Sequence, residues 1–530
     1  MGAHHGGVDA AHDSRHHLLP HRPAPHGDRA DRRGGEGVTT DDIATTGEIT
    51  RLARAALSPS FPGPTAPGWL LDELERGLGG VTLFALTGNV PSPESLAALT
   101  ARMRAAGAPL ISIDEEGGDV TRLGGHATGS PYPGNAALGA VDDPELTRRI
   151  YRSMGAELAE VGVNLDFAPS VDVNTADDNP VIGTRSFGAD AALVARHAAA
   201  AVAGLQEAGV AACAKHFPGH GATVVDSHLT IPLVDADLAL LDRRELVPFR
   251  AAIDAGARAV MTGHLNVPDI TEGLPATLSP AAITGLLRER LGYDGVIVTD
   301  ALDMRGASGA IGIPEASVRA LIAGADLLCL GPNEHADTVR ATLAAVEAAV
   351  RDGRLSPHRL QDAADRTDAL RRRLSGEVPA APDRDAGLEG ARRAVRVSGA
   401  LPGWSGTPPL VVEVEASGNI AVGPTPWGLH PWAPDAVRAT SGDGDADRVL
   451  DRAKGRGLVV VLRDAHRHAE QRSLTAALLT ARPDTVVVEM GLPVWRPGSA
   501  VYLATYGAAA ANAQAAAELL GLVPAPGGTA

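Results

Sequence analysis

The stretch Lys215–His228 reads KHFPGHGATVVDSH and sets a lysine, three histidines and an aspartate around Pro218, Gly219 and Gly221. His216 and His220 are four apart, the spacing of a helical metal site. Pro218 and Gly219 stand between them and rule out the helix that would put both rings on one face. With no cysteine near, neither zinc nor any other metal is expected. Asp226 and His228 flank Ser227, and side chains two apart in an extended segment point the same way. The carboxylate can then hold one imidazole nitrogen and fix the tautomer, while the other nitrogen moves a proton. The glycines ahead of the pair suggest an adaptable loop that carries His228 to and from a substrate.

A second carboxylate, Asp300, closes the apolar run VIV in DGVIVTDALDM. On a rigid strand end it could attack an electrophilic carbon, ligate a metal or accept a phosphoryl group. Phosphatases of the haloacid dehalogenase type need a second aspartate two residues on. Here Asp303 is three on, which disfavours that chemistry. IDEEGGDVTRL (113–123) ends a strand with Asp114 and then turns at two glycines, and NPVIGTRSFG (179–188) carries Arg185 in a glycine-flanked loop. Such residues suit recognition of hydroxyl and carbonyl groups on a polar ligand.

The elements that must position these side chains repeat along the chain. Helical stretches end at Gly162, Gly209, Gly256, Gly292 and Gly324 and run into short apolar strands. Glycine just past a helix supplies the left-handed residue that ends it. A strand that is apolar throughout is buried on both faces. Asp143-Pro144 marks a helix start, followed by Leu146, Ile150, Met154 and Leu158 on one face. Strands over 79–85 and 108–114 bring the visible total to seven, with an eighth expected nearer the start or degenerate. Strand after strand ends in polar residues: Asp114, Asp172, Lys215-His216, His264, Asp300. A (β/α)8 TIM barrel collects such residues at one rim, whereas an open doubly wound sheet concentrates them at a switch point.

The blocks IDEEGG, NPVIGTRSFG, KHFPGHG…DSH, MTGH and VIVTDALDM occur in this order, each at an expected strand-to-helix loop. Together they resemble the family 3 glycoside hydrolases, above all their NagZ-like β-N-acetylhexosaminidase branch, over about residues 45–370. The resemblance implies a retaining exo-β-N-acetylglucosaminidase acting on peptidoglycan-derived fragments or related β-GlcNAc glycosides. In it Asp300 is the nucleophile, and His228 is the acid and then base, oriented by Asp226. Asp114, Arg185, Lys215, His216 and His264 bind the sugar, and no cofactor is needed. Because an imidazole acid does not repel anions, phosphorolysis is the alternative within the family. A noncatalytic sugar-binding protein is the alternative outside it. This chain has Glu115 and Asp119 where such proteins commonly carry Gln and Arg, two extra negative charges expected near the sugar.

The 530 residues accommodate two domains, and the net charge of −17 disfavours nonspecific nucleic-acid binding. The expected division is a disordered tail (1–40), the barrel (41–372), a linker (373–408) with a short helical piece around 386–397, and a smaller α/β/α sandwich (409–530), which resumes in the strands PPLVVEVEA, GLVVVLRDA, DTVVVEMGLP and AVYLATYG. Cys213 and Cys329 read as buried thiols in core strands. Lysine occurs only at positions 215 and 454, so the ammonium within the histidine-rich stretch looks selected. Residues 1–37 lack an apolar signal core and no long apolar run follows, so a cytoplasmic protein without membrane spans is expected. The partner is a carbohydrate; oligomeric state is not legible.

Overall fold

The computed structural model describes residues 45–124, 129–227, 230–309, 311–332, 336–374, 381–404, 407–415, 419–440 and 445–523. The expected tail 1–40 and His228 lie outside them. The eight strands of the first layer are β1 Leu57–Ser58, β2 Gly80–Thr82, β3 Leu110–Ile113, β4 Leu165–Asp166, β5 Ala211–Phe217, β6 Ala259–Thr262, β7 Val296–Thr299 and β8 Leu328–Cys329. β2 to β7 form a parallel sheet in sequence order, and β1 pairs in parallel with β8. A Val298–Leu327 bridge and a Thr82 N–H to Pro59 carbonyl bond of 3.0 Å join these two pieces into a TIM-type barrel. The strand missing from the sequence reading is β1, two residues long and hidden behind the helix Thr46–Ala55.

The helix ends follow the expected chemistry. Asp143 Oδ1 accepts from the N–H groups of Glu145 (3.1 Å) and Leu146 (3.2 Å), with Pro144 in the first turn. The five marker glycines all have positive φ, from 67° to 119°. Inside the barrel, Leu110, Leu165, Phe167, Met261, Val296 and Val298 form an apolar core, which Leu370 and Leu374 of the helix Pro357–Leu374 also join. Cys213 and Cys329 are buried there as thiols, and burial raises both pKa values.

The second layer is a six-stranded sheet built from β9 Arg396–Ser398, β10 Leu410–Val414, β11 Val437–Ala439, β12 Leu458–Leu462, β13 Val486–Glu489 and β14 Val501–Ala504. Its order is β11-β10-β12-β13-β14-β9, parallel except for β9. Alternation along β12 sends Leu458, Val460 and Leu462 to one apolar cluster and Val459 and Val461 to the other. Helices cover both faces, which makes an α/β/α sandwich. The segment 373–408 is built into both layers. It holds the helix Asp385–Ala394, which packs against the barrel helix Pro144–Glu160 and the sandwich helix Ala510–Leu519, and it supplies β9. Asp119 also ties the layers: it accepts from Ala508 N–H at 2.8 Å and pairs with Arg463 at 3.3 Å. Among the described residues no helix is long and apolar enough to cross a membrane.

Two glycines should respond oppositely to alanine. Gly204 lies in the helix Ala191–Glu207 where a methyl group would run into the Arg148 carbonyl oxygen of the neighbouring helix, whereas nothing lies within 4 Å of a methyl at Gly47. Gly204→Ala should cost about 1–3 kcal/mol through overpacking, and Gly47→Ala should add up to about 1 kcal/mol of helix propensity. Denaturant midpoints of the two variants check this.

Candidate active site

At the C-terminal ends of the barrel strands lies a cavity of about 330 Å³. That is at the lower end of the roughly 300–1,000 Å³ of small-molecule sites. Its floor is an unbroken chain of charged and polar groups. Lys215, at the end of β5, donates from Nζ to Asp114 Oδ1 at 2.7 Å and lies 2.7 Å from Glu116 Oε1. Arg185 grips Glu116 with both arms of its fork, Nε to Oε2 at 2.9 Å and Nη2 to Oε1 at 2.7 Å, and donates to the Val181 carbonyl at 3.1 Å. Arg185 Nη2 is also 3.3 Å from His216 Nε2, whose Nδ1 bonds Asp172 Oδ2 at 2.7 Å. A guanidinium donates only, so this geometry puts the His216 proton on Nδ1 and leaves Nε2 as acceptor.

Burial alone would neutralise these groups, but the pairing reverses it. Glu116 would be raised by desolvation, yet the charges of Arg185 and Lys215 hold it well below the carboxylate range. Desolvation would lower Lys215 and Arg185, but Asp114 and Glu116 raise Lys215, and Glu116 raises Arg185. Asp172 is pushed up by burial and brought below its ordinary value by His216. Beneath this floor Asp166 accepts the Glu115 N–H at 3.0 Å, and desolvation drives its carboxyl well up.

Asp300 follows β7 and lines the same cavity. Its N–H donates to the Thr262 carbonyl at 3.1 Å, and its Oδ1 accepts from Ala301 N–H at 2.8 Å, which holds the carboxylate at the strand end. Thus Asp114, Arg185, Lys215, His216 and Asp300 converge on one cavity. His264 does not reach it. The ring is fully buried, bonded at Nδ1 to Thr277 and at Nε2 to the Ala301 carbonyl (3.0 Å). It therefore supports the residue after Asp300 and does not form part of the wall. Glu116 was missed because IDEEGG offers three adjacent acids with nothing to rank them. Only the fold shows that its carboxylate is the shared partner of both cations.

Glu115 and Asp119 add no charge to the pocket. Glu115 turns away, accepting the N–H groups of Arg122 (2.7 Å) and Leu123 (2.9 Å), and burial raises its pKa. Asp119 accepts from Thr184 Oγ1 at 2.7 Å in addition to its bonds across the layers.

The glycines of the histidine-rich stretch serve close approach more than flexibility. A methyl at Gly221 would run into the Val173 backbone, and one at Gly219 into Glu245. Residues from Lys215 to Thr223 are buried almost throughout. His220 knits this segment: its N–H donates to Asp172 Oδ1 at 2.6 Å, Nδ1 bonds Thr223 at 2.7 Å and Nε2 bonds Ser227 at 3.0 Å. Exposure rises at Val224 and Val225, next to the half-buried Asp226, and Ser227 is buried again.

Residues 71–370 match the N-terminal domain of glycosyl hydrolase family 3. The chain is 37% identical over 286 residues to Beta-hexosaminidase A of Pseudoalteromonas piscicida, an alignment covering 50% of this chain and 47% of that protein. It is 40% identical over 276 residues to Beta-hexosaminidase of Thiobacillus denitrificans, covering 50% of this chain and 75% of that one. The chain thus spans about half the length of the former relative. A solved β-N-acetylglucosaminidase of the same family from a Paenibacillus species superposes with a TM-score of 0.79 at 34% identity, covering 89% of this chain and 97% of that one.

Burial pulls the pKa of His220 from 6.5 down to about 4. Between these values the unfolded chain binds a proton that the folded one excludes. The stability due to His220 is therefore complete above about pH 6.5 and is lost as pH falls toward 4, up to about 3 kcal/mol. Urea midpoints at pH 7 and pH 5 should differ less in His220→Gln than in the parent protein.

Proposed function

The chain belongs to glycosyl hydrolase family 3, and on that premise we propose that it is a retaining exo-β-N-acetylglucosaminidase that removes terminal GlcNAc from peptidoglycan-derived fragments or related β-GlcNAc glycosides. The observation that carries this reading is the meeting of Asp300 with the Asp114–Lys215–Glu116–Arg185–His216 chain in one cavity. The names of the similar proteins support the choice of sugar.

In the first step the Asp300 carboxylate attacks the anomeric carbon as the bond to the leaving oxygen breaks, and His228 gives that oxygen its proton. In the second step His228 takes a proton from water, whose oxygen displaces Asp300 from the anomeric carbon. Two inversions give retention. Asp226 orients the imidazole. His228 lies outside the described residues. Its assignment rests on the DSH motif and on Ser227, its chain neighbour, which lines the cavity. Asp114 accepts hydroxyl protons of the sugar. Lys215, Arg185 and His216 hold the sugar and keep the floor rigid, so little reorganisation accompanies the charge that develops in the transition state.

Turnover of 4-nitrophenyl β-GlcNAc in phosphate and in phosphate-free buffer, with products resolved by NMR, tests the proposal. Free GlcNAc should appear first as the β anomer in both buffers, and Asp300→Ala should lose several orders of magnitude in kcat. GlcNAc 1-phosphate in place of the free sugar would make the protein a phosphorylase. Binding without turnover would make it a sugar-binding protein.

A further inference from the structure

The floor of the cavity is polar, but its mouth is not. Leu86, after β2, is 67% exposed and Ile420, after β10, is 50% exposed, and both line the cavity together with Phe84. Ile420 comes from the sandwich, so the second layer forms part of the wall. Its loop is held in place from the barrel side. Asn419 Nδ2 donates to the carbonyls of Pro180 (2.9 Å) and Val181 (3.3 Å), in the loop that carries Arg185. The Arg122 guanidinium donates to the carbonyls of Ala421 (2.9 Å) and Val422 (3.2 Å). The two apolar loops also approach each other, since a methyl at Gly423 would stand 3.8 Å from Leu86 Cδ2.

An exo-acting glycosidase seats the terminal sugar at the buried end of its pocket, and whatever is still attached emerges through the mouth. Leu86 and Ile420 leave half or more of their surface open at that mouth. Placed at the mouth of a polar site, they match the apolar face of a pyranose or aryl ring. We propose that Ile420, facing Leu86 and Phe84, forms the subsite for the leaving group, and that the sandwich thereby selects aglycones presenting a ring face. This rests on the glycosidase reading above.

The test compares two glycosides with alkoxide leaving groups, methyl β-N-acetylglucosaminide and N,N′-diacetylchitobiose, which differ in whether a ring fills the mouth. In Ile420→Ala the ratio of kcat/KM for the disaccharide over the methyl glycoside should fall about tenfold, the scale of a lost apolar pocket contact, and further in Ile420→Asp. Leu86→Ala, on the barrel side, should lower the same ratio and keeps the test valid if changes at Ile420 disturb folding. An unchanged ratio in folded Ile420→Ala and Leu86→Ala, with both substrates still turned over, would overturn the subsite and leave the glycosidase reading standing. Failure of the parent protein to cleave either glycoside would remove the reading beneath it.

Discussion

A carboxylate buried between two cations sets the geometry of this site. Glu116 is shared by the Arg185 fork and the Lys215 ammonium, and each cation extends the chain, to His216 and Asp172 on one side and to Asp114 on the other. Taking so many charges out of water is costly, and such groups stay ionised only because each has its partner in place. Removing one member leaves a bare charge behind, at a cost of about 3–5 kcal/mol. The arrangement is therefore weak evidence for stability and strong evidence for placement. It spans the loops after β3 and β4 and the end of β5, locking three strand ends into one register and presenting a fixed floor to the ligand.

The same logic explains why the two layers act as one body. Asp119 sits one turn beyond Glu116, yet its carboxylate reaches Ala508 and Arg463 of the sandwich, while Asn419 and Arg122 pin the sandwich loop over the cavity. A domain that could merely brace the barrel also reaches the rim of its pocket. The C-terminal end of a parallel sheet is the usual place for a ligand. Here the C-terminal ends of β10 and β12 face the barrel's own active rim.

Much of this was legible beforehand. Continuous apolar strands, glycine helix ends and polar strand termini pointed to the barrel; Asp300, Lys215, His216 and Asp114 were visible as polar residues following apolar runs, and Arg185 as a cation in a glycine-flanked loop. What escaped has a physical reason. β1 is two residues long, and β9 and β11 are three-residue edge strands without an apolar run. His264 sits at a strand end like the others, but sequence does not say whether a ring faces a cavity or a neighbouring carbonyl. Glu115 and Asp119 were read as pocket charges because spacing in a glycine turn does not fix direction. Ile420 lies some three hundred residues from Glu116 and belongs to the site only through tertiary packing.

The central claim is that the carboxylate of Asp300 becomes bonded to the sugar. Incubating the protein with a 5-fluoro-GlcNAc donor bearing a good leaving group, followed by proteolysis and mass spectrometry, tests it directly. The account predicts one glycosylated peptide, with the modification on Asp300. A sugar attached to another side chain, or continued turnover of that donor with no labelled peptide trapped at any time, would contradict it.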